Sequence, residues 1–172
     1  MSSDPYETEI LLLGVGNLLY GDEGVGVHAV RLLEAEYELS SNVRLVDGGT
    51  AGQYLMPTLS EAKKVIVMDT VRGGKEPGTI YRLENEDLRK SIGFWDTQHE
   101  VTLEDILLQC ELIDSKPEVV IIGIEPLDMK TLQMEPTPLI KDKMPKFIGH
   151  VLDELRAQGG DAWLKGTRKT RG

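Results

Sequence analysis

The sequence predicts an α/β fold: one three-layer domain in which a mostly parallel, twisted sheet of about five strands carries helices on both faces. Two observations predict it. The short apolar runs Ile10–Val15, Val65–Met68 and Val119–Ile124 have the composition of strands buried on both sides, not the alternation of a strand with one wet face. Stretches with apolar residues at helical spacing separate them, and strands that alternate with helices build parallel sheets. Length agrees, since 172 residues suit a single core. The domain is expected over residues 1–160, followed by a basic tail over 161–172.

The elements follow in order. Ile10–Val15 is a buried strand, and a glycine-rich loop leads from it into a helix that starts at Val25. In that helix Val30, Leu33 and Tyr37 recur at three and four residues with Arg31, Glu34 and Glu38 on the wetter side, which predicts an end near Glu38. Val43 and Leu45 alternate with Asn42 and Arg44 before Asp47-Gly48-Gly49-Thr50, a strand closed by a sharp turn, with Thr50 placed to cap a following helix. A short helix is expected over Gln53–Glu61, with Pro57 in or near its first turn. Val65–Asp69 is a second buried strand that ends in a carboxylate. Gly73, Gly74, Pro77 and Gly78 form a turn into an edge strand over Thr79–Leu83, and residues from Glu84 to Gln98 show no period. Leu103, Ile106, Leu107 and Cys110 mark a third helix that Thr102 can cap. Val119–Ile124 is expected to be the last buried strand. Beyond irregular residues from Pro126 to Pro138, apolar positions from Ile140 to Leu155 mark a long amphipathic helix, with Pro145 as a point of kinking and Gly159-Gly160 as its stop.

Composition narrows function. Nineteen Lys plus Arg against 29 Asp plus Glu give a net charge of −10, which opposes a general affinity for nucleic-acid backbones. No run approaches the roughly 18 apolar residues of a membrane-spanning helix, so no membrane insertion is expected. One cysteine leaves no internal disulfide and no Cys-rich zinc module, and the start Met1–Thr8 lacks the pattern of a signal peptide. A reducing cytoplasm is the expected compartment.

In a sheet of this kind ligands bind beyond the strands' carboxyl ends, so the chemistry is sought after Val15, Asp47 and Asp69. The loop from Gly14 to Gly26 opens a helix as a dinucleotide-binding turn would, and Asp47 suits a ribose-binding carboxylate. Leu19, however, stands where the third glycine of that fingerprint belongs, and Asp22 and Glu23 lie where a pyrophosphate would approach. Read without a ligand, the same glycines serve tight turning and the acids favour a helix N-terminus. A metal reading draws on Glu23, Asp69 and His99, two carboxylates and an imidazole that suit Zn²⁺ or Ni²⁺ with positions open for water or substrate. His28 and His150 are expected at the surface or its boundary, and Cys110 in the core. No Gly-x-Ser-x-Gly elbow occurs and Cys110 has no paired base, so hydrolysis, if any, rests on a metal or an activated water.

From Ile10 to about Leu155 the chain resembles the hydrogenase maturation proteases. The resemblance rests on Gly14-Val15-Gly16-Asn17 with the acidic Asp22-Glu23 and Gly24, on Asp47-Gly48-Gly49-Thr50-Ala51-Gly52, on the strand ending at Asp69, on His99-Glu100 through Leu103, and on Ile122-Gly123-Ile124-Glu125-Pro126, all in order. It implies an endopeptidase of the aspartic type that removes a C-terminal extension from the nickel-loaded large-subunit precursor of a nickel-iron hydrogenase and acts as a monomer. The implied metal ligands are Glu23, Asp69 and His99, for nickel supplied in the substrate, with zinc or another divalent ion able to substitute. Asp47, Glu23 and Asp69 are the implied catalytic carboxylates, Gly48, Gly49 and Thr50 the implied substrate-recognition turn, and Asp22 a residue that shapes the loop. Two other readings stay open on sequence: a nucleotide-binding module and a non-catalytic nickel chaperone.

Overall fold

The computed structural model describes residues 8–84, 87 and 103–167. Along the chain these form β1 (Thr8–Val15), α1 (Val25–Glu36), β2 (Tyr37–Leu39), β3 (Val43–Gly49), α2 (Met56–Ser60), β4 (Ala62–Thr70), β5 (Ile80–Glu84), α3 (Leu103–Leu112), β6 (Glu118–Ile124), α4 (Pro138–Ala157) and β7 (Ala162–Leu164), with 3-10 turns at Gly21–Gly24 and Gly52–Leu55. The three apolar runs become β1, β4 and β6, the centre of a five-stranded sheet ordered β3-β1-β4-β6-β5. All its pairings are parallel except that of the edge strand β5 with β6.

Burial on both sides explains those apolar runs. Ile10 and Leu12 of β1 join Ile66 and Met68 of β4 in a core covered by α1 and α4, where Val30, Leu33, Phe147 and Val151 supply the bulk. Leu11 and Leu13 leave β1 on the other side and pack with Val65, Val67 and Ile121 under Leu59 of α2 and Ile106 and Cys110 of α3. Successive residues of one strand therefore serve two cores, and neither face tolerates a polar side chain.

One expectation is corrected at the end of an element. The first helix stops at Glu36, not near Glu38, because Tyr37–Leu39 turn extended and pair antiparallel with Ala162–Leu164. That pairing adds a short strand, β7, after β6, which is the last buried strand, and carries the backbone past residue 160. Lys165 N still donates to Glu36 O at 2.9 Å. Ala162 is buried in the first core, so the close of the fold is held by packing as well as by the ladder. Pro57 lies at the start of α2 as its missing N–H requires, whereas Pro145 is accommodated inside α4. Thr102, the expected cap of α3, lies outside the described residues.

Candidate active site at the carboxyl edge of the sheet

The loop after β1 is shaped first by close approach. At Gly26 a Cβ would fall 2.1 Å from Met68 O and 2.4 Å from Val15 O, so only glycine lets the first turn of α1 lie against the ends of β1 and β4. Gly16, at φ +141°, would place a Cβ 1.9 Å from Glu23 O, and its N–H donates to Gly49 O at 3.0 Å. The glycines thus fold the loop back so that Glu23 and the turn at Gly49 meet the same edge. They serve backbone contact here, and the acids stand at the mouth of the 3-10 turn where a phosphate would need to sit.

The adjacent acids have different environments. Asp22 is fully buried. Its Oδ2 accepts from Leu127 N at 2.9 Å and Asp128 N at 3.0 Å, its Oδ1 from Thr137 N at 2.7 Å, and Thr137 Oγ1 donates at 3.0 Å to both oxygens. Thr137 is the residue before the first turn of α4, so a carboxylate from the β1 loop sits at that helix's N-terminus, where its charge is favourable. Asp22 shapes the loop, as the sequence suggested, and its hydrogen-bonding capacity is taken up in doing so. Glu23 is only partly buried.

Asp69 ends the apolar run of β4 and is 6% exposed. Burial raises its pKa well above the usual carboxylate range; hydrogen bonds from Thr70 oppose the rise, and the negative charge of Glu23 adds to it. Glu23 and Asp69, remote in sequence, are therefore electrostatic neighbours. Thr70 N donates to Asp69 Oδ1 at 2.7 Å and Thr70 Oγ1 reaches the same oxygen at 3.4 Å. Among the described residues no donor reaches Oδ2.

Asp47 lies at the same level of the sheet, since Gly14 is the register partner of both Asp47 and Met68. One intervening strand puts it about 10 Å from the end of β4. Strand alternation sends Asp47 toward the α1 side and Asp69 toward the α2 and α3 side, so the carboxylates share an edge and not a face. Asp47 is exposed, and its Oδ1 accepts from Gly49 N at 2.9 Å, which closes the turn. Gly48 is buried against Leu13 and Leu55, while Thr50 is exposed. His99 lies outside the described residues, and no group of three metal-ligating side chains occurs among the described ones.

The remaining candidates are placed as follows. His28 Nε2 donates to Met134 O at 2.9 Å, tying α1 to the loop after β6, and His150 is exposed. Cys110 is buried, and burial pushes its thiol above the ordinary pKa, which makes it a poor nucleophile. One residue of the quoted motifs was given no role from sequence. Glu125, directly after β6, is buried and accepts from Gly73 N at 2.7 Å and from Tyr81 Oη at 2.5 Å, which anchors the loop that follows Asp69. Burial and that carboxylate push Tyr81 up to about 12. The available signal was a lone acid between an apolar strand and Pro126.

The sequence model of the hydrogenase maturation protease family matches residues 27–154. The hydrogenase expression/formation protein HupD of Thiocapsa roseopersicina is 35% identical over 161 residues, covering 92% of this chain and 72% of its own. The coenzyme F420 hydrogenase subunit delta of Methanothermobacter thermautotrophicus is 33% identical, covering 88% of this chain and 97% of its own. Among solved structures, the hydrogenase maturating endopeptidase HybD from E. coli superposes with a TM-score of 0.85 at 29% identity, covering 93% of this chain and 99% of that one. The family model over residues 27–154, relatives at 33 and 35% identity and a sheet shared with the HybD endopeptidase place the chain in the hydrogenase maturation protease family, whose members are peptidases.

Proposed function

We propose that this peptidase removes a C-terminal extension from the nickel-loaded large-subunit precursor of a nickel-iron hydrogenase, and that it recognises the nickel in that precursor through Glu23, Asp69 and His99. The observation that carries the reading is the pairing of Glu23 with a buried Asp69 whose second oxygen meets no donor among the described residues. Two carboxylates in such a place repel each other, and a cation relieves both the repulsion and the cost of burial. The donor set therefore fits a divalent ion, with His99 as the third donor, and zinc as a substitute for nickel. An ion so placed supplies Lewis acidity to the scissile carbonyl or to a bound water.

The chain's own residues have separable tasks. Glu23 and Asp69 bind and, once the extension is seated, hold negative charge against the reacting segment. Asp47, exposed at the same edge, orients the incoming chain or moves a proton, as an aspartic-type mechanism would have it, and the turn Gly48-Gly49-Thr50 offers backbone for recognition. A monomer acting in the cytoplasm accords with a single cysteine that is buried and free.

The test is incubation with purified nickel-loaded precursor and mass spectrometry of the products. Wild type is expected to release a discrete C-terminal peptide, while Glu23→Gln, Asp69→Asn and His99→Ala fold and release none. Cleavage by these variants at the wild-type rate overturns the site. Nickel retention by wild type without any released peptide favours a chaperone instead.

A further inference from the structure

Two loops on the carboxyl edge carry apolar side chains that nothing described in the fold covers. Leu19 is 51% exposed, and Leu127, Leu132 and Met134 are 54, 72 and 59% exposed. Leu19 lies in the loop after β1 and the others in the loop after β6, and these two strands flank β4, the strand that ends at Asp69. Single exposed leucines are ordinary; several gathered on adjoining loops are not.

The loops are also fastened to each other. Gly21 N donates to Gln133 O at 2.7 Å, and Gln133 N to Leu19 O at 2.9 Å, with Tyr20 and Gln133 aligned as in a parallel ladder. Asp22 holds the backbone of Leu127 and Asp128, and His28 holds that of Met134. The side chains are therefore presented on a backbone ordered in advance, which reduces the entropy that a partner would have to overcome. A loop whose apolar residues served only the fold would turn them inward.

We infer that this patch is the docking surface for the precursor polypeptide and takes an apolar stretch of that substrate beside the bond to be cut. The inference rests on the peptidase reading. Continuity identifies the occupant: Glu23 follows Leu19 in the same loop, so a chain whose reacting segment reaches Glu23 and Asp69 has to lie across the same rim. The four side chains carry no charge, while Asp128, Lys130 and Glu135 punctuate the same loop, so the patch is an apolar strip with a charged border, as docking surfaces have.

The experiment compares steady-state cleavage of nickel-loaded precursor by wild type, by the double variant Leu132→Ser/Met134→Ser, and by Leu112→Ser/Ile113→Ser. The last removes exposed apolar residues at the end of α3, on the other face of the sheet. For the loop variant KM is expected to rise about tenfold with kcat within about twofold of wild type, and for the α3 variant neither changes. A loop variant with unchanged KM, or an α3 variant with an equal rise, overturns the docking surface while wild-type cleavage leaves the peptidase reading intact. If wild type releases no peptide, the peptidase reading falls and the docking surface with it. Sedimentation of wild type as a dimer that the loop substitutions dissolve assigns the patch to a second copy and also overturns it. Should the double variant melt early, Leu132→Gln alone carries the same comparison, because its side chain is mostly in solvent.

Discussion

Removal of the Asp22 carboxylate is expected to be among the most damaging single changes outside the apolar core. Four donor groups converge on it, three backbone N–H groups and the Thr137 hydroxyl, at 2.7 to 3.0 Å. Hydrogen bonds to a charged group contribute about 1.5 to 3 kcal/mol each, net and not additively, and breaking a buried network of this kind costs about 3 to 5 kcal/mol. At roughly 2 to 4 °C per kcal/mol for a domain of this length, Asp22→Ala should lower Tm by roughly 6 to 20 °C. Asp22→Asn is the sharper test because it preserves shape. Every partner is a donor, so whichever oxygen becomes the amide NH₂ faces an N–H or O–H, and about 2 kcal/mol is lost although no volume changes. Urea unfolding gives the magnitude, and amide exchange at Gly21, Leu127 and Gln133 locates it, since these amides should exchange faster when the loops part. An Asn variant as stable as wild type would refute the role of the carboxylate in joining the loops.

Further outcomes follow from the same electrostatics. Asp69→Asn should abolish cleavage yet raise the denaturation midpoint at pH 7. The folded pKa of Asp69 lies above its unfolded value near 3.8, so the unfolded state sheds its proton first as pH rises and stability is lost; the gain should vanish near pH 3, and a destabilised variant at pH 7 contradicts this. Glu154 behaves oppositely. Arg82, with Nε 2.6 Å from its Oε2, holds its pKa below the ordinary 4.5, so the pair stabilises above about pH 4.5 and the contribution fades as pH falls through the folded value. Because Arg82 is half exposed, Arg82→Met should cost only about 1 to 2 kcal/mol at pH 7 and still less at pH 3, as read by chemical denaturation. On the proposed reading His99 has to be neutral to bind an ion, so cleavage should fall as pH drops below about 6.5, and a flat profile from pH 8 to 5 would remove it from the ligand set.

The layered sheet was legible because the residues that build it face no alternative. Four to six apolar positions in a row can be satisfied only with cover on both sides, and β1, β4 and β6 occupy the centre for that reason. What escaped lacks such a pattern. β2 and β7 have three residues each, too few for a period, and pair across more than a hundred residues, so Tyr37 continued the spacing of α1 and appeared helical. Glu154 lies on the apolar face of α4 between Val151 and Leu155, and that conflict with the helix pattern was a signal of a buried partner. Glu125 offered a weaker one. Asp69 was legible as a carboxylate at the end of an apolar run, but its proximity to Glu23 depends on how tightly Gly16 and Gly26 turn the loop.

The neighbouring acids Asp22 and Glu23 illustrate why sequence alone cannot divide labour within a motif. Both are carboxylates at the start of one helical segment and both fit an anion-repelling or cation-binding loop. Donor accounting separates them. Asp22 is fully buried and its hydrogen-bond capacity is committed to Leu127, Asp128 and Thr137, so recruiting it to a cation would break the junction between the two loops. Glu23 follows that junction directly and lies close enough to Asp69 to add to the pKa rise that burial causes there. The energetic cost of two carboxylates near each other, one of them buried, is one that folding alone gives no reason to retain. On the proposed reading, a cation arriving with the substrate supplies such a reason, and docking would depend on the ion: without it the precursor would meet a repelling pair, and with it the same pair would become a point of attachment.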